Sequence, residues 1–528
     1  MRTGLGYWKM MIRNMVIRNK VIRMERKESD MRTSGILFPV FSLPGKYGIG
    51  CFSEEAYRFV DFLKEAGQTY WQILPLGPTG YGDSPYQSFS TFAGNPYLIS
   101  LEELISQGLL SREECEAVDF GDDDSAVDYG KLYMGRWDLL RKAYTRSEHK
   151  NTEEFLAFQK ENDFWLGDYA LFMAVKDAHA GAGASDWEPD IRDYEPEAVK
   201  KWAADLCEET GFYEYLQFEF ARQWKRLKDY AAGQGIQIIG DIPIYVSADS
   251  ADFWAHRELF QLDDRGRIRM IAGVPPDGFS ATGQVWGNPL YNWEKHKETG
   301  YDWWIRRIKK CRELYDVIRI DHFRGFDEYF AIPAESDTAA AGHWEKGPGT
   351  DLFDAIEAAL GKTPIIAEDL GYVTETVRQL VRDTGFPNMK VLEFAFDSRD
   401  SSGAMEYLPY RYQRNCVVYT GTHDNETLRG WIDSILPVER QQVCEYLDVR
   451  TKDPQEIVEK MVLAAFSSVA DYCIIPLQDY LGLDNSARIN HPSTNGKNWK
   501  WRVEPKDLSA ELAGRILRLT TLFGRLPE

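Results

Sequence analysis

The tightest constraint on the fold is a repeated pattern. A short apolar run rich in β-branched residues leads into a turn, and a helical stretch follows. The clearest runs are WQILPL (71–76), IQIIGDIPIYV (236–246), VIRIDHF (317–323), PIIAEDLG (364–371), MKVLEFAF (389–396) and VVYTGTHDN (417–425). Near-continuous apolar character marks parallel strands covered on both faces. Amphipathic helical segments lie between them, among them 54–65 and 213–232. Alternating strands and helices call for a parallel sheet, open or closed. The strand ends favour closure. Asp241, Asp321, Glu368 and Asp424 stand toward the C-terminal ends of four different runs, and a barrel gathers such ends around one mouth. No G-x-G-x-x-G fingerprint or P-loop follows any run, so a doubly wound nucleotide-binding sheet loses support. The expectation is an α/β fold of the (β/α)8 TIM-barrel type.

At 528 residues the chain leaves room for insertions on such a barrel. Residues about 100–212 read as inserted, mostly helical subdomains. Residues about 262–300 are dense in Gly and Pro and read as a long loop. Loops of this length are usually functional or disordered. Its aromatics Phe279, Trp286, Tyr291 and Trp293 argue against disorder and leave a functional loop. Residues 1–30 are Met-rich and basic, without the uninterrupted apolar stretch of a secretory signal. They are expected to be a poorly ordered extension, with 31–528 as the catalytic unit.

A formal net charge of -21 excludes the basic footprint that nucleic-acid binding needs and disfavours anionic membranes. A neutral polymer meets no such penalty, and the acidity also serves solubility. No apolar run is long enough to span a membrane. The seven cysteines are scattered, odd in number and never in C-x-x-C spacing, the pattern of reduced thiols in a cytoplasm rather than of disulfides or a zinc site.

Three motifs can carry chemistry. In VIRIDHFRG, Arg319 and Asp321 are two apart on a strand and share a face. A guanidinium lowers the pKa of a neighbouring carboxylate, which suits a nucleophile; a structural Arg–Asp pair fits this motif equally well. In IIAEDLG, Glu368 would sit in a crowded acidic pocket that raises its pKa, as a general acid requires. Asp369 points to the other side as a helix cap or hydrogen-bond partner, and capping could account for both acids. In YTGTHDN, His423, Asp424 and Asn425 end a strand with groups able to grip hydroxyls, although a His-Asp pair alone is usually structural. Two carboxylates flanking a glycosidic bond are the minimum for glycoside cleavage. Spacing alone shows only that acids end several strands.

Longer segments go further. SGILFPVFSLPGKYGIG (34–50), WQILPLGPTGYGDSPYQSFSTFAGNPYLISLE (71–102), GDIPIYV (240–246), GQVWGNPLYNW (283–293), RIDHFRG (319–325), AEDLG (367–371) and GTHDN (421–425), in this order, make the chain resemble glycoside hydrolase family 77, the amylomaltases, over nearly all of 31–528. The resemblance implies 4-alpha-glucanotransferase activity on maltooligosaccharides, starch or glycogen-type glucans, without cofactor or metal. It implies a barrel without the C-terminal β-sandwich of α-amylases. It also implies Asp321 as nucleophile, Glu368 as general acid/base and Asp424 as transition-state stabiliser. Ser84, Tyr86, Asp241, Arg319, His322 and His423 would line the −1 sugar site. Gln284 and Trp286 would belong to a mobile lid loop, at about 262–300, that covers bound glucan, and Asn490 would touch sugar. A hydrolase using the same acids and a non-catalytic glucan-binding barrel are the competing expectations.

Overall fold

The computed structural model describes residues 32–527 apart from Tyr81, 277–281, Asp400 and 451–452. The expected extension 1–30 and Phe279 lie outside the described residues. Eight parallel strands close into a barrel: β1 (Thr33–Leu37), β2 (Tyr70–Gln72), β3 (Gln237–Pro243), β6 (Val317–Asp321), β9 (Ile365–Ala367), β10 (Asn388–Val391), β11 (Cys416–Tyr419) and β12 (Tyr472–Pro476). Around the barrel they run β1-β12-β11-β10-β9-β6-β3-β2, so closure joins β1 to both β12 and β2. In the barrel interior Leu37, Tyr70, Ile239, Val317, Ile366, Met389, Val391, Val417, Tyr419 and Ile474 form one buried cluster. The outer strand faces join the main core beneath the helices.

Close packing explains two glycines in the wall. A Cβ on Gly35 would lie 2.5 Å from the Tyr70 Cβ on β2, and a Cβ on Gly240 of β3 would fall on the Tyr315 ring. Neither position has room for a side chain.

Between β2 and β3 the chain makes a helical insertion, from Leu101–Ser106 through Tyr129–Arg146 and Leu166–Ala178 to the long helix Cys207–Gly233. The stretch 262–300 is not the irregular loop expected. It contains β4 (Met270–Val274), β5 (Gln284–Pro289) and the helix Trp293–Glu298. With β7 (Glu328–Pro333) and β8 (His343–Lys346), β4 and β5 form a four-stranded antiparallel sheet in the order β5-β4-β7-β8. Its Gly and Pro residues accommodate tight pairing: Gly273 faces the Gln284 backbone too closely for any Cβ. Among the described residues no strand follows β12, and no helix is long and apolar enough to cross a membrane.

Candidate active site

The barrel register assembles the acidic centre. Asp241 of β3 pairs with Arg319 of β6, and Pro243 pairs with Asp321. On the other side Ile320 pairs with Ala367 of β9. One step further along, Asp321 and Glu368 stand side by side at the mouth, on strands about 4.8 Å apart. The ladder continues through them, with Glu368 N–H donating to the Ile320 carbonyl at 3.1 Å and Phe323 N–H to the Glu368 carbonyl at 3.0 Å. The buried Arg319 guanidinium bridges two acids, Nη1 to Asp241 Oδ2 at 2.5 Å and Nη2 to Asp321 Oδ1 at 3.1 Å. Asp241 is fully buried, whereas Asp321 keeps 30% of its side chain exposed. One acid anchors the cation, and the other reaches the opening.

Glu368 is held by backbone donors, from His322 N–H to Oε2 at 2.6 Å and from Leu370 N–H to Oε1 at 2.9 Å. His322 adopts a left-handed conformation, φ 55°, uncommon for a non-glycine residue. Burial, reinforced by the Asp321 charge, raises the Glu368 pKa to about 8 against the opposing Arg319 and backbone donors. Asp321 corrects the expectation of a lowered pKa. Burial lifts it to about 6, with Asp241 and Asp424 adding to the rise and Arg319 and His423 opposing it. The guanidinium acts in the expected direction but loses to desolvation and two further acids. The order between the two is the chemically useful one: Asp321 gives up its proton before Glu368 does. His322 is pushed down to about 3 by burial and by Arg324, so its ring is neutral at neutral pH.

The remaining expected residues converge on the same mouth. Tyr86 OH donates to Asp241 Oδ2 at 2.9 Å, and its ring stacks on His423 at 5.1 Å and 13°. Ser84 Oγ accepts from the Tyr86 N–H at 3.3 Å and fixes that turn. His423 Nε2 lies 3.3 Å from Asp424 Oδ2. Asn490 Nδ2 donates to Asp424 Oδ1 at 2.6 Å, so Asn490 orients this acid. The Trp286 ring meets His322 edge-on at 4.8 Å, and its Nε1 donates to Gln284 Oε1 at 3.1 Å. Both belong to β5, a strand rather than a free loop. Asp369 is a hydrogen-bond partner rather than a helix cap, accepting from Met389 N–H at 3.0 Å and Asn388 Nδ2 at 3.2 Å.

Comparison with known proteins fits this arrangement. The family model described as 4-alpha-glucanotransferase, of glycoside hydrolase family 77, matches residues 38–508. The chain belongs to this family. It is a hexosyl-transferring enzyme whose reaction moves a segment of an α-1,4-glucan to an acceptor. The chain is 46% identical over 488 residues to a 4-alpha-glucanotransferase of Clostridium butyricum, covering 92% of this chain and 99% of that one. It is also 46% identical to that of Thermus thermophilus, covering 94% and 99%. The fold is similar to that of the amylomaltase from Streptococcus agalactiae in complex with acarbose, with TM-score 0.90, 42% identity, and coverage of 94% of this chain and all 100% of the other.

Beyond the family motifs read from the sequence, the structure adds Trp499 and Arg488 to the site. Trp499 lies 5.8 Å from the Tyr86 ring and 6.1 Å from that of His423. Arg488 donates from Nη2 to the Asp424 carbonyl at 2.8 Å and from Nε to the Asn490 carbonyl at 2.7 Å. The aromatic cluster NWKW and the cation of RINHP were the available signals. Neither sits on a strand end, so strand periodicity does not select them.

Proposed function

We propose that the glucan lies across the barrel mouth, with the scissile bond between Asp321 and Glu368. Glu368 protonates the leaving oxygen while the Asp321 carboxylate attacks the anomeric carbon. The reducing-end fragment leaves, and a β-glucosyl ester to Asp321 remains. Glu368, now ionised, takes the proton from the 4-hydroxyl of an incoming sugar, whose oxygen displaces Asp321. Two inversions give net retention.

The observation carrying this assignment is the strand register, which puts the two carboxyls side by side with different proton affinities. Retaining glycosidases hold their carboxyls about 5–5.5 Å apart, close to the spacing of neighbouring strands. Asp424, held by Asn490, would grip hydroxyls of the reacting sugar as charge develops. Asp241, Arg319, Ser84, Tyr86, His322 and His423 would form the pocket around that sugar. The ligands fitting this pocket are maltooligosaccharides and starch- or glycogen-type glucans, in keeping with acarbose in the S. agalactiae amylomaltase. Trp286 and Gln284 on β5 would cover the bound chain and shield the ester from water. Residues 31–528 would act as one catalytic unit, with 1–30 as an extension. All seven cysteines are unpaired, which suits a reducing cytoplasm.

Incubation with maltotriose tests the reading. Transfer releases glucose together with chains longer than the substrate. Products no longer than maltotriose would instead establish a hydrolase built on the same acids.

A further inference from the structure

One buried acid beside the site has no place in the mechanism above. Glu393 lies two residues past the end of β10, is 3% exposed, and has a side-chain Oε1 without a hydrogen-bond partner among the described residues. Two other carboxyls approach it from different elements, Asp479 beyond β12 and Glu426 beyond β11. Both of those are fully engaged. Asp479 accepts from Thr420 Oγ1 at 2.5 Å and Leu428 N–H at 2.8 Å. Glu426 accepts from Asn485 Nδ2 at 2.6 Å and Ser434 Oγ at 2.7 Å. Arg488 faces the cluster, but its donated bonds go to the carbonyls of Asp424 and Asn490. An ionised Glu393 would therefore be a buried charge met by the Asn425 amide but by no hydrogen-bond donor on Oε1 among the described residues. Burial first, then Asp479 and Glu426, raise its pKa well above the usual carboxylate range, against Arg488 and Asn425.

The turn resting on this buried acid is the one that carries Asp424. Glu393 N–H donates to the Thr420 carbonyl at 3.1 Å. A Cβ built on Gly421 would lie 2.9 Å from Glu393 Oε1 and 3.2 Å from the Asn425 Cβ. Asn425 closes the turn, its Oδ1 accepting from Thr422 N–H at 2.9 Å and Oγ1 at 2.8 Å. The same Asn425 side chain also interacts with the Glu393 carboxyl. Asp424 and His423 belong to the same turn, and Asn490 fixes Asp424.

We propose that Glu393 is a positioning residue for Asp424, acting from beneath the 420–425 turn through Gly421 and Asn425. It touches no reacting atom. Its contribution is to fix the height and tilt of the turn with a buried polar side chain, which bare glycine at 421 lets approach closely. The inference rests on the reading of Asp424 as transition-state stabiliser.

The test compares Glu393→Gln, Glu393→Leu and Asp424→Asn in maltotriose disproportionation, with thermal unfolding of each variant alongside. Glu393→Gln keeps a polar group of the same size and is expected to retain wild-type kcat. Glu393→Leu fills the space without polarity and is expected to lose about tenfold to hundredfold in kcat at unchanged KM, the scale of a small misplacement in an active site. A folded Glu393→Leu with wild-type kcat, or a Glu393→Gln as impaired as the Leu variant, overturns the proposal. An Asp424→Asn variant of wild-type activity overturns the underlying reading instead. If Glu393→Leu does not fold, Glu393→Asp applies the same test by withdrawing the carboxyl one methylene from the turn. A fall in kcat at constant KM then supports the role, and an unchanged kcat refutes it.

Discussion

Asp321 and Glu368 share a pocket, yet their surroundings act on them differently. Both are raised by burial. Asp321 lies against the Arg319 cation at 3.1 Å, which restrains the rise to about 6. Glu368 faces the Asp321 charge and is carried to about 8. Activity needs Asp321 ionised and Glu368 protonated, so kcat/KM should fall below pH about 6 and again above pH about 8. The two flanks belong to the coupled pair rather than to single residues. A profile flat through this range would refute the pairing. The same shift bears on stability. Between the ordinary Glu value of 4.5 and about 8, folded Glu368 holds a proton that the unfolded chain has released. Stability contributed by that proton is complete below the lower value and is lost as pH rises through the upper one. Glu368→Gln, which cannot ionise, should therefore melt above the wild type at pH about 8.5 and gain much less at pH about 5. An equal gain at both pH values would show that Glu368 carries no raised pKa.

The antiparallel sheet β5-β4-β7-β8 brings Trp286 over the mouth, edge-on to His322. A strand supports such a cover more firmly than a free loop. Trp286→Ala removes the ring while leaving the acids in place. KM for maltotriose should rise about threefold to tenfold, the worth of one aromatic contact, and the hydrolysis-to-transfer ratio should increase as water reaches the ester. Chromatography of the products checks both; an unchanged ratio would show that β5 does not exclude water. How far this architecture could be read from the sequence follows from side-chain patterning. Six barrel strands carry apolar β-branched runs, and all six were visible. The first strand was missed as a strand because TSGIL contains Gly35 where the Tyr70 side chain needs space. YCIIP was missed because it is short and ends in Pro476. The inserted sheet was hidden by Gly273 and Gly287 and by the prolines around it, which look like loop punctuation. The acids at the strand ends were legible because period and position both mark them. Arg488, Trp499 and Glu393 reach the site through tertiary folding alone, and no local pattern announces them. The rise in the Asp321 pKa is not legible for a related reason: sequence shows its Arg neighbour but not the burial.

Closure of the barrel joins the beginning and the end of the described chain. β1 is seated between β12 and β2, and the helix Ala510–Leu522 packs on the helix Glu54–Glu65 beside it. Arg525, fully buried, ties this seam together. It donates from Nε to the Phe466 carbonyl at 2.9 Å, from Nη1 to the Thr33 carbonyl at 2.9 Å and from Nη2 to the Ser468 carbonyl at 3.2 Å. One side chain thus spans the entry to β1 and the approach to β12, far from the acidic mouth. Arg525→Ala would take a donor from three carbonyls in a buried seam, although the Ser468 carbonyl keeps Arg32 Nη1 at 2.5 Å. A loss of about 2–4 kcal/mol follows from the cost of stranding such groups, offset in part because a buried cation no longer needs desolvation. Urea denaturation should show the drop as a lower midpoint, with kcat of the folded enzyme unchanged at low temperature. Retained stability would mean that β1 is held by its strand partners alone; a lost kcat in fully folded protein would mean that the seam also sets the geometry of the mouth. The first outcome would contradict the role assigned to Arg525. The second would show that closure and catalysis are coupled through the β1–β2 pair, which carries the wall on which Tyr86 and Asp241 meet.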